Sequence, residues 1–317
     1  MDHALAIDIG GSKMAVGVVD ECGRLRERRS VATPTVPRQD SAPATVTDAA
    51  AVEPGDGAGA PGGEDVFAAL ADLVSTFAPF DRFAVCGVGC AGPIAPGGET
   101  VSPLNIPGLR AFPLAERLTT MTGLSCRVDN DAKALALAEG WVGGAVGVAD
   151  YLAMVVSTGV GSGIVLEGRL LDGASGNAGH IGQMAVTEAG RPMPPQAEGT
   201  LEAEAAGPAI AAHTGRRPEE AATVDVARAG TLVGRAAGSV ANLLDLRLVL
   251  VAGSVALGFG EPFFAAAQAE MDRICTLEFS RGARIQPAGC GHEGPLIGAA
   301  AVGFRSLGRR IGAVDPQ

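Results

Sequence analysis

The chain has 317 residues, 47% hydrophobic and 19% charged, which is material for two domains with packed cores. A net charge of −11 repels a phosphate backbone, so nucleic acid is not an expected partner. No apolar run reaches the length of a membrane span and no signal peptide precedes the first apolar strand, so no membrane partner is expected and the expected location is cytoplasmic.

The six cysteines, Cys22, Cys86, Cys90, Cys126, Cys275 and Cys290, form no C-x-x-C pair, and all six are expected to be reduced. Aromatic residues are only 4%, whereas there are 46 glycines, many in clusters. Such clusters mark tight turns and places where backbone approaches a ligand closely.

The opening, from Ala4 to Val19, is apolar and β-prone on both sides of Gly10-Gly11, which predicts a hairpin. A third strand is expected from Leu25 to Ala32. Between Thr33 and Glu64, Pro, Ala, Gly, Thr and Asp dominate, which predicts a flexible loop. Phe67, Leu70, Leu73, Val74 and Phe77 share one face of a helix expected over Val66 to Phe77. A buried strand from Phe83 to Cys90, a helix from Phe112 to Met121 and a strand from Ser125 to Val128 follow. That strand meets a helix over Ala132 to Gly140. Two strands, Asp150 to Val156 and Gly163 to Leu166, flank a second glycine turn. Helices are expected over Glu198 to Thr214, Val224 to Leu244 and Pro262 to Ile274, with a strand from Leu246 to Ala252. The tail from Gly294 to Gly303 reads as a small-residue helix able to pack closely. The second strand–turn–strand unit echoes the first, so the pattern predicts two similar α/β domains facing a cleft.

Several segments carry chemistry. Asp8-Ile9-Gly10-Gly11-Ser12-Lys13 lies between strands. Its glycines let backbone N–H groups approach phosphate oxygens, Ser12 and Lys13 can reach the phosphate, and Asp8 can orient a magnesium-bound water. Ser157-Thr158-Gly159-Val160-Gly161 follows the same logic, and a pair of such turns can clamp a triphosphate. Asp129-Asn130-Asp131 sits where a strand meets a helix. Asp131 there is either a helix cap or a general base for a hydroxyl, with Asn130 bonding a neighbouring hydroxyl. The glycine-rich stretch from Gly173 to Gln183 can place His180 around a polyol, and Glu202 opens a helix.

Taken in order along the chain, these residues resemble the ROK family, a branch of the actin-like ATPase (ribonuclease H-like) superfamily. Asn105-Ile106-Pro107-Gly108 resembles its sugar-facing loop, Gly176 to Gln183 its signature, Gly199 to Pro208 its Glu-bearing segment, and Val251-Ala252-Gly253-Ser254 its adenosine-side turn. The resemblance implies an α/β fold of two domains around a central cleft. Residues 1–118 would form the small domain, with a flexible insertion at 33–64 and the helix 298–317 returning to it; residues 119–297 would form the large one.

The implied activity is phosphoryl transfer from ATP to a hexose with Mg2+, with Asp131 as base. Asn105, Asn130, His180, Gln183 and Glu202 would line the sugar. Asp8, Gly10, Gly11, Ser12, Lys13, Thr158, Gly159 and Gly253 would surround the nucleotide. A homodimer is implied too. Glucose is the default sugar, with mannose and N-acetylhexosamines such as N-acetylglucosamine and N-acetylmannosamine as alternatives. A sugar-sensing protein without catalysis, or a polyphosphate-using kinase, stands as a rival.

Two departures bear on this. His180 stands where the family usually carries Glu, and neutral His offers one acceptor and one donor where Glu offers only acceptors. Gln183 stands at the position of a zinc-binding His, and residues 188–200 hold no Cys, so zinc is expected to be absent. Pro192, Pro194 and Pro195 are expected to supply part of the missing restraint.

Overall fold

The computed structural model describes residues 1–34, 62–188, 190, 193 and 196–312. The body of the expected flexible loop, residues 35–61, lies outside the described residues, as do Pro192, Pro194 and Pro195.

The chain opens with three antiparallel strands, β1 (His3–Ile9), β2 (Lys13–Asp20) and β3 (Leu25–Ala32). Gly10 N–H donates to the Lys13 carbonyl at 3.0 Å and closes the first turn. Helix α1 (Gly63–Ser75) then leads to β4 (Val85–Cys90), α2 (Leu114–Thr122) and β5 (Cys126–Asn130). The strands form one sheet in the order β3-β2-β1-β4-β5, in which β1, β4 and β5 are parallel. Helix α3 (Asp131–Val142) crosses to a second sheet, made of β6 (Tyr151–Val156), β7 (Val160–Leu166), β8 (Arg169–Leu170), β9 (Leu248–Ala252) and β10 (Arg284–Pro287). Its order is β10-β9-β6-β7-β8, in which β10, β9 and β6 are parallel and β6, β7 and β8 antiparallel, so read from β8 it repeats the pattern of the first. The duplication expected from the two glycine turns is therefore a duplication of whole sheets.

Side-chain size explains what covers each face of the first sheet. Leu5, Ile7 and Ile9 alternate with Ala4 and Ala6 along β1. The large residues meet Val66, Phe67, Leu70 and Val74 of α1 in one core. Burying each large side chain stabilises the fold by about 1.5–3 kcal/mol. The alanine face meets α3 and α9 (Gly294–Ser306) in a second core between the sheets. Approach there is so close that a Cβ on Gly87 would lie 1.9 Å from the Ala299 carbonyl oxygen. A third core lies under the second sheet, where α4 (Leu201–Ala205), α5 (Gly207–Thr214), α6 (Thr223–Leu244), α7 (Ser254–Phe259) and α8 (Glu261–Ile274) gather.

Several expectations need correction. Glu198 to Thr214 is not one helix: Ala206 is extended, with ψ 151°. A helix running on from Leu201 would drive the Pro208 ring into the Glu204 carbonyl, so the chain breaks before it. Strand β7 begins at Val160 rather than Gly163, because Val160 already pairs with Val156. Residue 118 falls inside α2, and β5 belongs to the first sheet, so the first half runs on to Asn130. The ends of the 33–64 stretch are structured: Thr33 is buried, and residues from Gly63 onward form α1. Among the described residues, no helix is long and apolar enough to cross a membrane.

Candidate active site

The carboxyl ends of β1, β4 and β5 set out the floor of the site. Asp8 pairs in register with Gly89, and Gly89 with Asp129. Because Gly89 has no side chain, the space between the carboxyl groups stays open. A Cβ there would lie 3.9 Å from Asp8 Oδ1 and 3.7 Å from Asp131 Cα. Burial and the nearby Asp131 push the Asp8 carboxyl up to about 7. Burial also raises Asp131, against the opposing pull of the Ala132 N–H and of His180.

Asn130, not Asp131, caps α3. Its Oδ1 accepts from the N–H groups of Ala132 at 3.0 Å and Lys133 at 3.3 Å. Asp131 Oδ1 accepts from the Ala132 N–H at 2.8 Å. Capping thus uses the oxygen of Asn130 and leaves its amide nitrogen facing the cleft. A Cβ on Gly92 would meet that nitrogen at 3.2 Å and the His180 ring at 3.5 Å. Asn130 and His180 therefore meet beside the Gly92 backbone, and His180 is near enough to Asp131 to act on its carboxyl.

Behind this floor, Lys133 is buried and pairs with Asp129 at 2.9 Å and Asp172 at 2.6 Å. Helix α3 sits hard against β7, since a Cβ on Gly163 would come within 2.8 Å of the Ala132 oxygen. That seat places Asp131 beside the second glycine turn.

The first turn carries Gly10, Gly11, Ser12 and Lys13, the last two exposed. Asn105 packs its side chain over Gly11, where a Cβ would lie 2.8 Å from its Nδ2. In the second turn, Ser157 N–H donates to the Gly159 carbonyl at 2.9 Å, and Thr158 is exposed at the tip. Glu202 is held at this turn: Oε2 accepts from the Val160 N–H at 2.8 Å and Oε1 from Gln196 at 2.9 Å. Beyond the turn opens a cavity of about 400 Å³ lined by Ser157, Thr158, Gly207, Pro208, Ser254 and Val255. Gly253 is a glycine by necessity, with φ 101° and its Cβ position 2.2 Å from the Val156 oxygen. It brings Ser254 Oγ to 2.9 Å from Ser157 Oγ.

The structure thus brings Asp8 near Asp131 and Asn130 near His180, and seats the start of α3 against the strand that follows the second glycine turn. Gln183 follows His180 by three residues. It is exposed at the end of a short 3-10 turn, Ile181–Gln183, and its backbone N–H donates to the His180 carbonyl at 3.0 Å. Sequence reasoning missed Thr33, Lys133 and Asn177. Only Thr33 gave a signal, as a Thr directly after a strand, and the loop-like composition that follows it hid that signal.

The residues present fit a magnesium–nucleoside triphosphate. Bare backbone faces the cleft at two turns, a partly buried carboxyl pair lies at its floor, and a nucleoside-sized cavity adjoins the second turn. Magnesium usually takes one or two carboxylates, with water and phosphate completing its shell, and Asp8 suits that role. Among the described residues, no group of three or more His, Cys, Asp and Glu side chains is placed to hold a metal ion.

Fold and site together define a two-sheet, actin-like enzyme scaffold. The ROK family profile matches residues 63–304. An N-acetylmannosamine kinase of Yersinia pestis (strain Pestoides F) is 35% identical over 278 residues, covering 82% of this chain and 86% of that protein. The ROK hexokinase of Thermus thermophilus superposes with a TM-score of 0.74 at 29% identity, covering 96% of this chain and 99% of that one. A ROK family glucokinase of Streptomyces griseus, solved with glucose and AMPPNP, gives 0.77 at 25% identity with the same coverage. The chain belongs to the ROK family.

Proposed function

We propose that this ROK protein, an ATP-dependent sugar kinase, takes an N-acetylated hexosamine as its acceptor, with N-acetylmannosamine the first candidate. The carrying observation is the meeting of Asn130 and His180 beside the Gly92 backbone, with His180 near enough to Asp131 to act on its carboxyl. An acylamino group has one N–H and one carbonyl. The imidazole of His180 and the primary amide of Asn130 offer it polar nitrogen partners. The similarity to N-acetylmannosamine kinases supports the same choice.

In this reading Asp131 accepts the proton of the attacking hydroxyl, and burial keeps its basicity above that of an ordinary carboxylate. Asn130 and His180 orient the sugar. Gly10, Gly11, Ser12 and Lys13 on one side, and Thr158 and Gly159 on the other, receive the phosphates. Asp8 holds magnesium through water, and when bound the metal neutralises charge on the phosphate oxygens. The cavity behind Ser157 and Ser254 takes the nucleoside, next to Gly253. Asn105 steadies the first turn and Glu202 the second. The same reading carries the cytoplasmic location and the homodimer expected from the sequence, and it needs neither zinc nor a nucleic-acid partner.

The test is a coupled ADP-release assay with Mg-ATP against N-acetylmannosamine, N-acetylglucosamine, glucose and mannose. Turnover greatest with an N-acetylated sugar is expected. Preference for glucose would return the acceptor to a plain hexose. ADP release with none of them, despite sugar binding, would favour a sensing role.

A further inference from the structure

The loop that carries His180 crosses from the second sheet to the first half of the chain, where Asn177 bonds the backbone of Ile94. Asn177 Oδ1 accepts from the Ile94 N–H at 3.0 Å, and Asn177 Nδ2 donates to the Ile94 carbonyl at 2.9 Å. The same nitrogen also donates to the Ser175 carbonyl at 3.1 Å and reaches Ser175 Oγ at 3.4 Å. A side-chain amide is here bonded as a neighbouring strand would be, with both polar groups of one residue. Only Asn and Gln carry a donor and an acceptor at that spacing.

Both ends of this contact are anchored. On the second-sheet side, Lys133 Nζ donates to Asp172 and, at 3.2 Å, to the Gly176 carbonyl. The Gly179 carbonyl accepts from both the N–H and the hydroxyl of Ser162, at 2.9 and 2.8 Å. On the first-sheet side, the Pro93 carbonyl accepts from Ser102 N–H at 2.9 Å and the Gly92 carbonyl from Leu104 N–H at 3.3 Å. Leu104 is followed directly by Asn105, which packs over Gly11. The acceptor space lies between Gly92, two residues before Ile94, and His180, three residues after Asn177.

We propose that Asn177 is a positioning residue that latches the two walls of the acceptor space and so sets the affinity for the sugar. It acts through the spacing of His180 and Gly92 and does not itself touch the reacting atoms. The kinetic half of this inference rests on the sugar-kinase reading above; the latch itself does not.

The test uses the full chain with Asn177→Ala and Asn177→Asp. Hydrogen exchange read by mass spectrometry is expected to show the segment 92–101 exchanging at least about tenfold faster in Asn177→Ala, with β6 and β9 unchanged. Asn177→Asp keeps the acceptor for the Ile94 N–H but sets its second oxygen against the Ile94 and Ser175 carbonyls, so it is expected to lose that protection as Asn177→Ala does. In steady-state kinetics, Asn177→Ala is expected to raise KM for the sugar about tenfold while KM for ATP stays within about twofold. Unchanged exchange in Asn177→Ala overturns the latch. Faster exchange with an unchanged sugar KM, or an equal rise in both KM values, overturns the positioning role. A wild-type chain that phosphorylates no sugar overturns the kinase reading instead, and the exchange result then decides the latch alone.

Discussion

The Thr33 hydroxyl donates to the Gly10 carbonyl at 2.7 Å, and the Thr33 N–H donates to the Ser12 carbonyl at 3.1 Å. The end of β3 thereby clamps the first glycine turn at two points. A turn that must present bare N–H groups to phosphate gains rigidity without any side chain entering its open face.

Replacing Thr33 with Val keeps the shape and removes the hydroxyl bond. One such bond is worth about 1 kcal/mol, so the KM for ATP should rise about fivefold. The KM for the sugar should stay near its wild-type value. Steady-state kinetics with each substrate varied in turn reads both numbers, and a change confined to the sugar would assign Thr33 to the other wall of the cleft.

Asp131→Asn conserves the bond to the Ala132 N–H and deletes the base. Turnover should fall about 10²–10⁴-fold, with sugar and nucleotide binding retained. Calorimetric titration beside the rate measurement separates the two effects. Turnover within a few-fold of wild type would show that another group takes the proton.

Asp8 gives a dependence on pH in the protein free of metal and nucleotide. Its folded carboxyl is raised to about 7 by burial and by Asp131, against an ordinary value of 3.8. Between those values the unfolded chain has released the proton and the folded chain still holds it. Stability linked to Asp8 is thus fully present below 3.8 and is lost as pH rises through about 7. Asp8→Asn cannot ionise. Its melting temperature should therefore gain on wild type as pH is raised from about 5 to about 8. A gap that does not change with pH would mean that Asp8 ionises freely in the folded chain.

Gly163→Ala tests how the base is seated. The new Cβ would lie 2.7 Å from Ala136 Cβ and 2.8 Å from both the Ala132 oxygen and Lys133 Cα, all on α3. The helix must retreat from β7, at a cost of about 1–3 kcal/mol. Thermal unfolding should show the loss and kcat should fall with it, because Asp131 opens that helix. An unaltered melting temperature would mean that α3 is free to shift.

What the sequence determined by itself is local. The hairpins declare themselves through apolar runs on either side of glycine, because a strand's pattern repeats every second residue and needs no distant partner to be read. The repeat of that unit announced two α/β halves, and the order of Asp8, Asp129-Asn130-Asp131, Thr158 and Glu202 along the chain carried the family resemblance. The tertiary structure decided what depends on residues far apart. That Asn130 rather than Asp131 caps α3 follows from how β5 enters the helix. That β5 joins the first sheet follows from the pairing of Cys86 with Cys126. The glycines at 87, 89 and 163 fell within expected strands, with nothing local to say why they are glycine. Each is a space made for something on another element: the backbone of α9, the gap between two carboxyl groups, and the backbone of α3. Asn177 is beyond any local pattern and Thr33 shows only as a Thr directly after a strand, because a side chain that bonds a carbonyl 23 or a backbone pair 83 residues away leaves no periodic trace.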